Sequence, residues 1–145
     1  MCCAAVLVTA KDADKSYRMV IKVTSHHCLF WASWSKKLPE SACGAGAVLA
    51  TMFNNKLIFK LVMLDVDVRD GEVRLRCALP VGVMAKDPKT MIAKYLEMLR
   101  LVTVGVLGVI ASVDTWKGAP VEAGAQIAKA TNLVLAAFLN HLTNT

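Results

Sequence analysis

The most concentrated group of reactive side chains lies in the segment SHHCLFWASWS, residues 25 to 35. Histidine and cysteine, which ligate zinc, stand side by side at His26, His27 and Cys28. In a strand, alternate side chains point to opposite faces, so His26 and Cys28 would share one face and His27 would lie on the other. A zinc site needs three or four ligands. We therefore predict a strand that enters the core, with no resident metal and no cofactor. A small metal or redox protein centred on His26, His27 and Cys28 is an alternative.

The aromatic residues of the same segment are Phe30, Trp31 and Trp34. Exposed aromatic rings can stack nucleic-acid bases, as they do in single-strand binding proteins. Here apolar residues occupy both alternating sets of positions, which favours a central strand with both faces buried. The sequence therefore predicts that these rings belong to the core.

Known catalytic motifs are absent from the sequence, which has no nucleophile elbow, no P-loop and no Gly-rich dinucleotide fingerprint. Four acids cluster near one Asp-Gly turn, at Asp65, Asp67, Asp70 and Glu72. A calcium-binding loop would need a third acid at the position of Arg69. We therefore predict a solvated turn there, no catalytic residues and a non-enzymatic protein.

The composition is apolar, since 56% of the 145 residues are hydrophobic and 19% are charged, against about 25% charged in average proteins. The longest apolar run, Leu101–Val113, has thirteen residues and is short of the roughly 20 that span a bilayer. The N-terminus lacks the basic region of a signal peptide, and the five cysteines include no C-x-x-C pair. These features predict a cytoplasmic protein without a transmembrane segment.

Hydrophobic periodicity and turn residues predict the order of the elements. Three strands lead the chain, a helix rich in small residues follows from about Ser41, and an Asp-Gly turn at residues 70 and 71 joins two further strands. The first strand of that hairpin begins near Leu57. The predicted order βββ-α-ββ-α-α corresponds to a single α+β domain, residues 1–145, with an antiparallel sheet and helices on one face.

The two C-terminal helices are predicted from different signals. Asp87-Pro88 is an N-cap followed by proline, which starts a long helix. Within it, Leu101–Val113 would suit a strand equally well, but its continuity with the capped segment favours helix. A final helix runs from about Val121 to Leu142.

The segment MFNNKLIFKLVMLDVDVRDGEVRLRCALPVG, followed by a helix that begins with proline, resembles the YbjN-type domain of the type III secretion chaperone-like superfamily. Asn54 or Asn55, Asp70-Gly71 and Leu79-Pro80 stand where that pattern places a helix end, an acidic glycine turn and a strand end. The resemblance covers roughly residues 4–113. It departs from the family in lacking the N-terminal helix, which is reduced at most to MCCAA, and in adding a C-terminal helix over about residues 120–145. It implies a type III secretion chaperone-like fold and a protein-binding module, often dimeric, without catalytic residues.

The strand alternations together predict one strongly basic surface. If Tyr17, Met19 and Ile21 face the helices, the cations between them face outward. Six basic side chains and no acid would share this face: Arg18, Lys22, Lys56, Lys60, Arg74 and Arg76. Because like charges on neighbouring strands cost stability, we expect an anionic partner, either an acidic protein or nucleic acid. The net charge of +6 is consistent with such partners.

A second predicted surface is apolar, because the C-terminal helices carry more hydrophobic residues than one small sheet can cover. Its expected interface residues are Val102, Val106, Val109, Ile110, Val113 and Phe138. We therefore expect a protein-binding, chaperone-like module that forms a homodimer or belongs to a larger assembly. A nucleic-acid-associated protein that uses the basic face is the alternative.

Overall fold

The computed structural model describes residues 4–12, 15–24, 26–80 and 87–143. Its elements are β1 Ala4–Asp12, β2 Lys15–Val23, β3 His27–Trp34, α1 Glu40–Lys56, β4 Met63–Val66, β5 Val73–Pro80, α2 Pro88–Ile110, α3 Val113–Trp116 and α4 Pro120–Thr143. The strands form one five-stranded sheet in the order β1-β2-β3-β5-β4, with every neighbouring pair antiparallel. The predicted α+β class and antiparallel sheet are confirmed, and α3 is an additional short helix. The predicted three leading strands correspond to β1, β2 and β3; residues 13 and 14, between β1 and β2, lie outside the described residues.

The helices cover one face of the sheet, as predicted. In β2, Tyr17, Met19 and Ile21 are buried, while Arg18 and Lys22 between them are exposed. The same alternation continues along β3. The covered face therefore supplies the sheet side of the hydrophobic core.

Tyr95 of α2 joins the sheet to the C-terminal helix. Its ring stacks on Phe30 of β3 with the centroids 6.0 Å apart, and it meets Phe138 of α4 edge-on at 4.8 Å. Edge-on and stacked aromatic pairs add to the stabilisation that comes from burial alone. All three rings belong to one core that also includes Leu75 of β5.

The predicted apolar interface is largely a misassigned part of this core. Val102, Val106, Ile110 and Phe138 are buried within the chain itself, so they present no surface to a partner. Val113 is half-buried, and Val109 alone of the six is exposed. The physical reason is that α4 packs against both α1 and α2. It covers the apolar surface of these helices that does not face the sheet.

The hairpin of β4 and β5 confirms the predicted turn but begins later than expected. The turn is confirmed by Gly71, which has a φ of 80°, a conformation that glycine adopts readily. The late start is seen in β4, which has only four residues. The side chain of Asn54 explains the delay, since it accepts a hydrogen bond from the amide of Leu64 and donates one to its carbonyl, both at 2.9 Å. Residues 57–62 therefore form a connection between α1 and β4 instead of the first half of a strand.

The three long helices show how local sequence determines helix starts and close packing. Asp87 caps α2, since its side chain accepts a hydrogen bond from the amide of Thr90 at 3.3 Å, as predicted. The N-cap of α1 is Pro39, without a side-chain hydrogen bond, and the helix begins at Glu40, next to the predicted start near Ser41. Gly124 of α4 lies so close to α1 that a Cβ there would be 2.5 Å from the Leu49 carbonyl oxygen.

Candidate binding face of the sheet

The sheet face opposite the helices is the candidate functional site, and we call it the open face. Its described side chains come from alternate positions of four strands, β2, β3, β5 and β4. The strand registers arrange them in three rows, which are Arg18, Ser33, Arg74 and Asp65; Val20, Trp31, Arg76 and Met63; and Lys22, Leu29 and Ala78. Neighbouring rows are about 7 Å apart along the strands, and neighbouring strands about 4.8 Å apart.

Four of the six predicted cations lie on the open face: Arg18, Lys22, Arg74 and Arg76. Lys56 and Lys60 do not lie on it. Lys56 is the last residue of α1, and Lys60 belongs to the connection before β4. The Nζ of Lys60 donates to the carbonyl oxygen of Asn54 at 2.5 Å. The prediction of a strand over the apolar alternation is therefore wrong for residues 57–62.

The expectation of a face without acids is also wrong. Asp65 pairs in register with Arg74, and its Oδ2 lies 2.6 Å from Nε of Arg76. Glu72 lies at the end of the same face, with its Oε1 3.8 Å from Nε of Arg74. Exposed ion pairs of this kind contribute about 0 to 1 kcal/mol each, and they neutralise part of the charge.

Arg18 and Lys22 differ from the two arginines of β5 in having no ion-pair partner among the described residues. Both side chains are exposed, and neither forms an ion pair with another described residue. Among the described side chains of the open face, four cations exceed two carboxylates, so this described part carries a net positive charge.

Trp31 stands at the centre of this face, where it separates two clefts. The first, of about 480 Å³, is lined by Trp31, Lys60, Met63, Arg74 and Arg76 among others. The second, of about 570 Å³, lies on the other side of the indole and includes Arg18, Lys37 and Glu72. Trp31 and Arg74 line both clefts. The two clefts therefore form one groove that runs along both sides of the indole ring and has cations at its edges.

The position of Trp31 was missed at the level of sequence, where all three rings of its segment were assigned to the core. Phe30 and Trp34 are buried, but Trp31 is half-buried on the opposite face. The sequence offered no direct signal, because the neighbour of Trp31 in β5, Arg76, follows only from the strand register. Chemically, the open face can bind anions and stack rings.

The histidine and cysteine group does not converge on a site. His26 and His27 are exposed, whereas Cys28 is completely buried. His26 precedes β3, so the predicted alternation across the two histidines starts only at His27. Burial raises the pKa of the Cys28 thiol, which keeps it protonated and a poor nucleophile. Within the described part of the chain, no group of three or more His, Cys, Asp or Glu side chains could hold a metal ion.

Comparison with known proteins supplies no relative, since no family model, curated protein or solved structure matches the chain. The resemblance to the YbjN-type domain therefore stays a prediction. Among the helices described, none is long and apolar enough to cross a membrane.

Proposed function

We propose that the protein is a non-enzymatic binding module that holds an anionic partner on the open face of its sheet. The observation that carries this proposal is the pair Arg18 and Lys22 on β2. Both cations are exposed, and neither has an ion-pair partner among the described residues. A solvated sheet face ordinarily mixes both charge signs, since like charges on adjacent strands repel. An excess of cations beside two clefts is what an extended polyanion would neutralise.

The test compares equal charge changes on the two sides of the molecule. Arg18→Gln combined with Lys22→Gln removes two cations from the open face, and Lys89→Gln combined with Lys129→Gln removes two exposed cations from the helices. We expect the first pair to weaken binding roughly tenfold, at about 0.5 to 1 kcal/mol for each exposed cation, and the second to change it little. Fluorescence anisotropy would measure binding to labelled polyglutamate and to a labelled oligothymidylate at low salt. Equal losses in both variants, or no binding of either probe, would contradict the proposal.

A second candidate function is self-association through the helices. The groove between α2 and α4 is lined by apolar residues, of which Leu101 and Leu133 are exposed, Leu133 by 71%. Lys94, Glu97 and His141 at the same groove carry both charge signs. Mixed charge suits a two-fold contact, in which one patch meets a copy of itself. A second copy of this chain is thus the proposed occupant, in keeping with the dimer that the chaperone-like resemblance implies.

Sedimentation of the purified chain tests this second candidate. Leu133→Glu should convert a dimer into a monomer, because it places a charge in the apolar contact. Ile58→Glu is the matched control, since Ile58 is equally exposed, at 74%, but lies in the connection between α1 and β4. A wild-type monomer at high concentration, or the same effect from both variants, would remove this candidate.

A cytoplasmic location is part of the proposal. It is supported by Cys28, Cys43 and Cys77, which are free thiols in the core, as is usual in a reducing compartment.

A further inference from the structure

We propose that the partner held by the open face is a single-stranded nucleic acid, with one base stacked on Trp31. This inference rests on the proposed function, because it names the kind of anion that the same face would bind. It is carried by the placement of an aromatic ring between two cation-edged clefts.

The first step concerns the apolar surface around Trp31. The hydrophobic core includes Phe30 and Trp34 from the same strand but excludes Trp31, Leu29 and Val20. Trp31 pairs in register with Val20, and Leu29 follows two residues away on the same face. These three side chains form a separate apolar strip on a face that no described element covers. A flat apolar ring in such a strip can hold a base by stacking, whatever the base is.

The second step concerns the charges on each side of the ring. Arg18 and Arg74 lie one row away from Trp31, and Lys22 lies one row away in the other direction. Two further cations line the clefts and already have partners within the chain: Lys60 in the first cleft donates to the Asn54 carbonyl, and Lys37 in the second lies 3.5 Å from Asp70. A chain that crosses Trp31 would therefore meet cations before and after the stacked base. Proteins that bind single strands combine these two elements, a cationic groove and aromatic platforms.

The third step separates a single strand from the other polyanions. In a duplex the bases are stacked on one another inside the helix, so none is free to lie on Trp31. An acidic polypeptide would satisfy the cations but has no planar ring at every residue. The combination of Trp31 with cations on both sides thus favours a single strand over either of them.

The experiment measures binding of a labelled ten-residue oligothymidylate by anisotropy at low salt. Three probes are compared, the single strand, a GC-rich hairpin duplex of ten base pairs that stays paired at low salt, and polyglutamate of ten residues. Trp31→Leu removes the ring and keeps an apolar side chain, and Trp31→Phe restores a smaller ring. We expect Trp31→Leu to lower affinity for the single strand roughly 5- to 150-fold, which corresponds to the loss of about 1 to 3 kcal/mol of stacking on one base. Trp31→Phe should recover most of it, and binding of polyglutamate should not respond to either change.

Tryptophan fluorescence supplies an independent readout. The other two tryptophans, Trp34 and Trp116, are buried, so quenching by the oligonucleotide should come from Trp31. Quenching that disappears in Trp31→Leu supports the proposal, provided circular dichroism shows that the variant is folded. The variant is expected to fold because Trp31 lies outside the core. Arg18→Gln, which leaves the ring in place, is a second variant that should weaken binding and retain quenching.

The outcomes separate this inference from the proposed function. If the single strand and polyglutamate bind equally and Trp31→Leu changes neither, the inference fails and the anion-binding function stands. Equal affinity for the duplex and the single strand would also overturn the inference. If the wild-type protein binds none of the three probes, both proposals fail together.

Discussion

Phe30 and Trp31 are consecutive aromatic residues of β3, the central strand, yet their side chains lie on opposite faces of the sheet. Phe30 is 1% exposed and stacks on Tyr95. Trp31 is half-buried and lines two clefts on the open face. The comparison teaches that residue type alone does not assign an aromatic ring to a core. What assigns it is the set of elements that pack over its side of the sheet.

The largest expected effect in this comparison is on stability. Phe30→Ala should lower the free energy of unfolding by about 3 to 5 kcal/mol, because it leaves a cavity under Tyr95. Trp31→Ala should lower it by less than about 1 kcal/mol, in the range of surface substitutions. Urea denaturation followed by circular dichroism measures both. Similar losses in the two variants would show that Trp31 belongs to the core after all.

A second prediction tests the helical layer that makes the faces different. Gly124→Ala should destabilise the protein by roughly 1 to 3 kcal/mol, because the new Cβ would lie 2.5 Å from the Leu49 carbonyl oxygen and push α4 away from α1. Gly105→Ala in α2 is the matched control, since nothing lies within 4 Å of its Cβ position. It should stabilise the helix by about 0.5 to 1 kcal/mol. Opposite shifts of the urea midpoint are therefore expected, and shifts of the same sign would contradict this contact.

Alkaline pH should lower the free energy of unfolding through two ionisable groups on the covered face of the sheet. Burial raises the pKa of the Cys77 thiol from 9.0 to about 12 and that of the Tyr95 hydroxyl from 10.0 to about 12. Both groups hold their protons in the folded state and release them in the unfolded state at lower pH. Their stabilising contribution is complete below about pH 9 and is lost as pH rises toward 12.

The urea midpoint at pH 8 and pH 10.5 checks this expectation. It should be lower at pH 10.5, and Cys77→Val, which keeps an apolar side chain, should reduce the difference. A midpoint that is unchanged between the two pH values would contradict burial of these groups.

The smallest effect is expected on the open face. Asp65→Asn removes the carboxylate 2.6 Å from Nε of Arg76 and should change stability by no more than about 1 kcal/mol, as for other exposed pairs. It should strengthen binding of polyglutamate, because Arg76 gains an uncompensated charge. Anisotropy and urea denaturation measure the two quantities. A large loss of stability would mean that the open face depends on this pair for its structure.

Local signals in the sequence predicted the parts of the fold that depend on a few neighbouring residues. The Asp-Gly pair at residues 70 and 71 predicted the turn, because glycine tolerates the positive φ found there. Asp87 and the following proline predicted the start of α2. Alternation in β2 and β5 predicted that Arg18, Lys22, Arg74 and Arg76 share one face, and the pairing of both strands with β3 places them in three adjacent rows.

Predictions that depended on distant contacts failed. Apolar alternation from Leu57 onward indicated a strand, but it carries no information about the hydrogen bonds between Asn54 and Leu64 that set where β4 begins. The valines of α2 were expected at an interface, yet α4 covers most of them. The carboxylate of Asp65 reaches the open face only because β4 pairs with β5 in that register.

The sequence by itself determined the α+β class, the turn at Gly71 and the separation of apolar and cationic residues on β2, because these follow from backbone preferences and a two-residue period. Only the tertiary structure decided which aromatic residues lie in the core, since burial depends on the element that packs above each face. Phe30 and Trp31 differ for this reason: α2 brings Tyr95 to one side of the strand, and no described helix covers the other.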